Sequence, residues 1–464
     1  MNFKSTNMYS LPLRLFLCFV CLIGFRETTF AQSSAATSLK ELLQLAENNY
    51  PLLKSKAWEV KASQKAINAS KSSLIPSLDA AYQVNYATYN NITGMAYPTY
   101  LVPISGPPAT ANHYDGVFGS ATSLLLNWQP ITFGQRASQV DFSIAGAQYA
   151  KADAGNEIFQ HKIKVINSYL DILTAMEMEK VFEENVVRTD ANLTVARTLV
   201  VSGIKPGVDT ALLKAEMSRA RVELLNSRKY KEQAIITLSQ LLATDNTPVL
   251  TDTSYFTRLP EAYVPADTAK NPLLSLYATN IELSKARKKV LGKTTMPTLG
   301  MWGTAYARGS GVDYNGNVKS TEGLAFQRYN YGLGLQLSIP ILQFAKIRSQ
   351  VQQQDLLIRS NEEKLNEISL QVRKQNELAD TTLSTALMVS KETPLYFESA
   401  NFSYKAMQSR YQSGLANFAD LMQAQYALVK AATDNKTAYM AVWKALLYKA
   451  AVSGDLNLFL NQVK

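Results

Sequence analysis

The chain repeats itself, and this repeat limits its possible folds more than any other feature of the sequence. When Pro51 is placed over Pro272, residues 51–78 align with residues 272–299 without a gap. The residues that then coincide are Leu53 with Leu274, Ala57 with Ala278, Ser63 with Ser284, Pro76 with Pro297, and Leu78 with Leu299. Self-similarity over this length indicates two copies of one structural unit.

A second matched feature lies farther along each half. Here a Ser-Gly pair is followed by an aspartate, six residues after the glycine. These residues are Ser202, Gly203 and Asp209 in the first half, and Ser413, Gly414 and Asp420 in the second. We therefore predict a first repeat over residues 32–242, a linker over 243–271, a second repeat over 272–452, and a tail over 453–464.

Each half has the same predicted order of elements: a helix, a strand pair around a loop, a very long helix, a turn and another helix. Apolar residues recur at helical spacing from about 138 to 200, and again from about 343 to 412. At 1.5 Å per residue these two helices are about 95 and 105 Å long. The shorter helices, at about 38–73 and 208–242, are about 50 Å each, so two of them match one long helix. We predict a tube of helices packed side by side as in a coiled coil.

The strands predict a membrane protein. Apolar and polar side chains alternate from Tyr329 to Ile339 and from Leu78 to Tyr86, as in the wall of a membrane β-barrel. Strands at about 117–129 and 298–308 alternate less regularly. A half-buried strand of a soluble protein alternates in the same way, so this pattern alone leaves both possibilities open.

Aromatic residues cluster at the loop ends of these strands, as in the interfacial girdle of a barrel. They are Tyr86, Tyr89, Tyr97, Tyr100, Tyr306, Phe326, Tyr329 and Tyr331. The long polar loops 90–116 and 309–327 suit the outer surface. Four strands cannot close a barrel, and an open edge in lipid leaves backbone groups unpaired. Three copies give twelve strands, so we predict a mainly α chain that forms a trimeric 12-stranded barrel with an α-helical periplasmic tube.

The first 31 residues have the order typical of a secretory signal peptide. Lys4 and Arg14 precede an apolar run over 15–23, and a small residue, Ala31, precedes the expected cleavage point. After this segment, no run of 18 apolar residues occurs, so we expect no transmembrane helix. If the protein is integral to a membrane, a closed barrel is the form that remains.

Composition argues against catalysis and against nucleic-acid binding. Both cysteines, Cys18 and Cys21, lie in the predicted signal peptide, and the two histidines, His113 and His161, are far apart. These residues predict no metal site, no cofactor and no cysteine nucleophile, and we expect no enzyme activity. The net charge of +10 is spread along helices without a basic block, as on a solvated surface rather than a nucleic-acid interface.

Together these features resemble the TolC-like outer-membrane efflux protein family over essentially the whole mature chain. The resemblance rests on the duplicated Ser-Gly turns, on residues 419–425 (Ala-Asp-Leu-Met-Gln-Ala-Gln), and on prolines at the four predicted strand-to-helix junctions. The prolines are Pro76, Pro130, Pro297 and Pro340, and the family implies that they form a swivel between barrel and tube. It further implies a homotrimeric exit duct in the outer-membrane lipid for small molecules or proteins, driven by an inner-membrane pump of RND or ABC type through a periplasmic adaptor.

The resemblance also implies roles for residues near the turns. It implies that the adaptor docks on Ser202, Gly203, Ile204, Ser413, Gly414 and Leu415. It also implies that Asp209, Tyr411 and Asp420 form a periplasmic gate. The family's best-known member has further gate residues where this chain has Ala416 and Gln423, which predicts a looser gate. Pro394 lies inside the second long helix, where we expect a break or kink. The alternative is a soluble periplasmic adaptor or scaffold, since paired long helices alone have the same pattern.

Overall fold

The computed structural model describes residues 38–90, 107, 111–245, 250, 252–261 and 270–463. Among these, the helices are α1 (Leu39–Asn49), α2 (Pro51–Ser72), α3 (Gln135–Val201), α4 (Gly207–Leu242), α5 (Pro272–Lys293), α6 (Phe344–Gln412), α7 (Phe418–Ser453) and α8 (Asn457–Leu460). The strands are β1 (Ser77–Thr88), β2 (Gly116–Ile131), β3 (Thr298–Ser310) and β4 (Arg328–Ser338). The predicted signal peptide lies outside the described residues, as do much of the loop 90–116 and parts of the linker.

The helix expected over residues 38–73 is two helices, so this prediction was wrong at Tyr50. Tyr50 has an extended backbone (φ −63°, ψ 123°) because the ring of Pro51 disfavours helical geometry in the preceding residue. Pro51 then begins α2 at a position where a helix needs no N–H donor. Pro272 begins α5 in the same way, after Asn271, whose side chain accepts a hydrogen bond from the backbone of Leu273.

The two long helices agree with prediction. The helix α3 has 67 residues and α6 has 69, so each is about 100 Å long. A break or kink was expected at Pro394, and the break does not occur, because α6 continues through this residue to Gln412. A proline inside a helix removes one backbone hydrogen bond. Packing of α6 against α7 stabilises the helix despite that loss.

The strands form one antiparallel sheet in the order β1-β2-β3-β4, so β1 and β4 are its edges. Paired residues lie on the same face, and the register gives each face a distinct character. One face carries exposed apolar side chains, including Leu78, Tyr82, Val84, Tyr331, Leu333 and Leu335. The opposite face carries Asp79, Gln83, Asn127, Asn330 and Gln336. Within the described residues, no helix is both long and apolar enough to cross a membrane.

The register explains why β3 alternates poorly in sequence. Trp302 pairs with Gly334 and therefore lies on the polar face of the sheet. The indole covers this glycine so closely that an added Cβ at residue 334 would lie 2.5 Å from a Trp302 ring atom. An aromatic ring above a glycine is a known way to stabilise a strand that lacks a side chain. The large side chain of Trp302 on the polar face thus fills the space that Gly334 of β4 leaves open.

The main apolar core lies where the shorter helices meet the long ones. It joins α1, α3, α4 and α7 with the 3-10 helix Ser254–Phe256 and with α8. Trp443 of α7 donates a hydrogen bond from Nε1 to the carbonyl oxygen of Tyr255 at 3.0 Å. A second, smaller apolar cluster lies near the end of the helices that is farthest from the sheet, and includes Leu199, Leu213 and Leu421.

Candidate functional site

The first Ser-Gly turn ends α3 in a glycine-dependent cap. Gly203 has a positive φ of 72°, which favours glycine because other residues are strained there. The N–H of Ile204 donates to the carbonyl of Leu199 at 2.9 Å, and the N–H of Gly203 donates to Val200 at 3.0 Å. This pair of bonds is the Schellman motif, which satisfies the last carbonyl groups of a helix.

The second turn has the same geometry at the end of α6. Gly414 has a φ of 77°, and the N–H of Leu415 donates to Arg410 at 2.8 Å. The N–H of Gly414 donates to the carbonyl of Tyr411 at 3.0 Å. The two sequence-matched turns therefore form matched structures, one in each repeat.

The two turns lie against each other and form one surface, which we call the tip. A Cβ added at Gly414 would be 3.5 Å from Cγ2 of Ile204. The Nζ of Lys205 donates to the carbonyl of Ala416 at 2.7 Å, which joins the first turn to the second. Ile204 is 58% exposed and Leu415 is 72% exposed, so the tip presents apolar side chains to solvent. The six residues expected to dock a partner thus lie close together.

Asp209 and Tyr411, two of the three residues predicted to form a gate, are in direct contact. Tyr411 is only 1% exposed and Asp209 only 6%, and the Tyr411 hydroxyl donates to Oδ2 of Asp209 at 3.1 Å. Burial, and next the hydrogen bond to Asp209, raise the pKa of Tyr411, so the phenol remains protonated and able to donate. Asp209 lies in the first turn of α4, where the helix dipole favours a negative charge. This hydrogen bond joins the α3–α4 hairpin to the α6–α7 hairpin.

Asp420 does not join this contact within the protomer. It is the third residue of α7, as Asp209 is the third residue of α4, so the repeat register holds at both aspartates. The backbone N–H of Asp420 donates to the capping side chain of Asn417 at 2.8 Å. The carboxylate of Asp420 is half-buried and makes no hydrogen bond or ion pair with any other described residue.

The two positions that depart from the family pattern have different surroundings. Ala416 is buried and contributes its backbone carbonyl, which accepts the hydrogen bond from Lys205. Gln423 is exposed on α7. The Nζ of Lys205, which comes from the first turn, also lies 5.3 Å from the centre of the Tyr411 ring, whereas Ala416 has no charged side chain.

A buried polar network that was not predicted from the sequence lies next to the tip. Its members are Asn185, Thr189 and Asn192 of α3, Tyr404 and Gln408 of α6, and Gln425 of α7. Asn192 is central, because its Nδ2 donates to Tyr404 Oη and to Gln425 Oε1, each at 3.0 Å. A signal existed in the sequence: Asn185, Thr189 and Asn192 recur at spacings of four and three, as residues on one helix face do.

Three of the four predicted swivel prolines lie beside strand ends. Pro76 directly precedes β1, Pro297 directly precedes β3, and Pro340 follows β4 by two residues. Pro130 is the last but one residue of β2 and lies five residues before α3 begins, so it too lies at the predicted junction. The β2–β3 register shifts between Trp128 and Ile131, and such irregularities accommodate a residue that has no N–H donor.

Comparison with known proteins identifies the family of the chain and solved structures that share its fold. The model of the family described as outer membrane efflux protein matches residues 42–244 and 268–441, which overlap most of the two predicted repeats. No curated protein sequence matches the chain significantly. The solved structure of CusC superposes with a TM-score of 0.75 at 12% identity, covering 90% of this chain and 92% of that one.

Two further solved channels have the same fold. The Campylobacter jejuni CmeC outer membrane channel gives a TM-score of 0.71 at 14% identity, covering 90% of this chain and 85% of that chain. The outer membrane protein VceC from Vibrio cholerae gives 0.69 at 12% identity, covering 90% and 96%. The predicted fold class is confirmed, and the matched family is one of outer membrane efflux proteins. The soluble-scaffold alternative gains no support, and the chain belongs to the outer membrane efflux protein family.

Proposed function

We propose that three copies of this chain form a passive exit duct, with a twelve-stranded barrel in the outer membrane and a helical tube in the periplasm. The observation that carries this proposal is the four-stranded sheet, whose outer strands β1 and β4 have no partner strand among the described residues. One face of this sheet exposes a continuous set of apolar side chains. Strand edges with unpaired backbone groups are not tolerated in lipid. Pairing of β4 with β1 of the next copy would give both edge strands a partner.

We expect the detergent-solubilised protein to contain three chains. Twelve strands lie within the range of known membrane barrels, whereas four are too few to close one. Light scattering combined with refractive-index detection, or native mass spectrometry, measures the protein mass free of detergent. A functional species of one or two chains would contradict the barrel proposed here.

A periplasmic adaptor docks on the tip and connects the duct to an inner-membrane pump of RND or ABC type. Ser202, Gly203 and Ile204 of the first turn and Ser413, Gly414 and Leu415 of the second provide the surface. Two features support this assignment: the tip lies at the far end of helices about 100 Å long, and it exposes Ile204 and Leu415. Exposed apolar residues grouped on a surface commonly mark a protein interaction site.

The Tyr411–Asp209 hydrogen bond holds the tube closed at this end. It joins the α3–α4 hairpin to the α6–α7 hairpin, and moving the hairpins apart would break it. The carboxylate of Asp420 has no hydrogen-bond or ion-pair partner among the described residues, and three copies would form a ring of negative charge around the axis. Such a ring attracts cations and favours their passage over that of anions.

Replacing Tyr411 with phenylalanine should open the duct. A hydrogen bond to a charged acceptor contributes about 1.5–3 kcal/mol, so its loss shifts the closed-to-open equilibrium at least about tenfold per chain. Single-channel conductance and open probability in planar bilayers measure this change. Tyr404→Phe is the matched control, because it removes a buried hydroxyl from the same helix that bonds to Asn192 and not to the gate.

The two variants separate a gate from a purely structural contact. We expect Tyr411→Phe to conduct more than the parent channel and Tyr404→Phe to conduct as the parent does. If Tyr411→Phe lowers the melting temperature but leaves conductance unchanged, the pair only stabilises the fold. Asp420→Asn should leave the open probability nearly unchanged but weaken cation selectivity, and unchanged selectivity would exclude the proposed ring.

A further inference from the structure

We propose that Lys205 is a latch that holds the two turns of the tip together and keeps the Tyr411–Asp209 pair closed. This inference rests on the proposed gate and assigns a further residue to it. Lys205 acts through contacts with the second turn and does not itself form the gate hydrogen bond. It is therefore a positioning residue, and its effect must appear in the closed-to-open equilibrium.

The positions of the two contacting residues explain why the first turn donates this hydrogen bond and the second turn accepts it. Lys205 lies two residues after Gly203, and Ala416 lies two residues after Gly414, so the repeat makes them equivalent. In the folded chain these equivalent positions meet, with Nζ of Lys205 2.7 Å from the carbonyl oxygen of Ala416. Alanine has no side-chain donor, so the first turn provides the cation and the second provides the acceptor.

The acceptor is a carbonyl that the helices leave without a backbone partner. Ala416 lies between the end of α6 and the start of α7, and the first helical hydrogen bond of α7 goes to Asn417. Ala416 is buried, and a buried carbonyl without a donor is unfavourable. The ammonium of Lys205 satisfies it with a charged donor, and charged hydrogen bonds are stronger than neutral ones.

The same ammonium also contacts the gate. Its Nζ lies 5.3 Å from the centre of the Tyr411 ring, within the range of a cation–π interaction. Tyr411 in turn donates to Asp209, which follows Lys205 in the chain and lies at the start of α4. The contacts form a closed loop: Lys205 holds Ala416 and the Tyr411 ring, and Tyr411 holds Asp209. Separating the hairpins would therefore break the contacts of Lys205 and the gate hydrogen bond together.

The test compares Lys205→Met, which keeps the aliphatic stem but loses the donor, with Lys205→Arg, which keeps a charged donor. Lys214→Met is the matched control, because Lys214 is an exposed lysine of α4 that loses the same charge near the tip. Each full-length channel is recorded in planar bilayers beside Tyr411→Phe, and its melting temperature is measured to confirm folding. We expect Lys205→Met to raise the open probability about tenfold, as for the loss of one charged hydrogen bond. Lys205→Arg and Lys214→Met should stay close to the parent.

The outcomes separate the latch from the gate on which it rests. If Tyr411→Phe opens the channel and Lys205→Met does not, the latch is refuted and the gate stands. If neither variant opens the channel, the gate fails and the latch fails with it. Equal effects of Lys205→Met and Lys214→Met would show that only the charge at the tip matters, which also overturns the proposal. Should Lys205→Met fail to assemble, Lys205→Gln removes the charge while retaining a polar side chain and decides between the same outcomes.

Discussion

Replacing Asn192 with leucine is expected to destabilise the helical tube by about 3–5 kcal/mol. Asn192 is 2% exposed, and its Oδ1 accepts a hydrogen bond from Gln408 Nε2 at 2.9 Å. Its Nδ2 donates to Tyr404 and Gln425, so three partners from two other helices depend on one amide. Leucine has a similar volume and leaves little cavity, but it provides neither a donor nor an acceptor. Each buried polar group left unpaired costs about 1–3 kcal/mol.

The effect should be large because the partners have few alternatives. Gln425 is fully buried, and its Nε2 is already used by Asn185 at 3.0 Å and Thr189 at 2.7 Å. Its Oε1 would lose the bond to Asn192 and could not reach water without separating α3 from α7. The network therefore behaves as a unit in which the loss of one member leaves others unsatisfied.

Thermal unfolding in detergent, followed by circular dichroism at the helical minimum, measures this loss. Thr194→Leu is the control, because Thr194 is exposed on the same helix two residues farther along. We expect a clear fall in the melting midpoint for Asn192→Leu and almost no change for Thr194→Leu. Equal melting midpoints for the parent and Asn192→Leu would show that the network contributes nothing net to stability.

Much of the fold could be predicted from the sequence because its elements are long and periodic. The helix expected from about 138 to 200 spans Gln135–Val201, and the one expected from 343 to 412 spans Phe344–Gln412. Many turns of apolar periodicity average out single exceptions, and the repeat gives each element a second, independent occurrence. The strands were located within a few residues for the same reason, although β2 and β3 alternate poorly.

The helix predictions were wrong where a single proline conflicts with the helical pattern of the residues around it. At Tyr50 the restriction imposed by a following proline outweighed helical periodicity, and one predicted helix became two. At Pro394 the opposite occurred, because packing against α7 outweighed the proline. The first result follows from a local restriction that the helical periodicity does not include. The second depends on tertiary packing, whose strength a local pattern does not measure.

Part of the candidate site could also be predicted from the sequence, and part could not. The conformations of Gly203 and Gly414 could be predicted, since glycine after a long helix commonly caps it with a positive φ. The contact between Tyr411 and Asp209 joins residues about two hundred positions apart, and only the family resemblance pointed to it. Ala416 is a position where this chain differs from the family's best-known member, and the resemblance implied no role for Lys205, so it gave no indication of their contact.

Replacing Gly203 with valine is expected to reduce adaptor binding about tenfold while leaving the trimer intact. A left-handed backbone costs a residue with a Cβ about 1–2 kcal/mol, and a β-branched side chain is strained further. An added Cβ would meet no atom within 4 Å, so the penalty comes from the backbone conformation and not from a clash. Loss of the Schellman bonds to Leu199 and Val200 would move Ile204 away from the second turn. Because the sheet lies about 100 Å away, assembly through the strands should be unaffected.

Two substitutions separate the turn conformation from added bulk. Gly203→Asn should bind nearly as well as the parent, since asparagine tolerates the left-handed region better than other residues with a side chain. Gly207→Val should also bind normally, because Gly207 begins α4 without a positive φ and has no atom within 4 Å of an added Cβ. A photo-crosslinker placed at Leu415 in living cells traps the adaptor, and the yield of that product is compared across the variants. If Gly207→Val loses as much as Gly203→Val, bulk at the tip and not turn geometry governs docking. If crosslinks form instead from the loop 309–327, the tip is not the docking surface and the proposed topology is inverted.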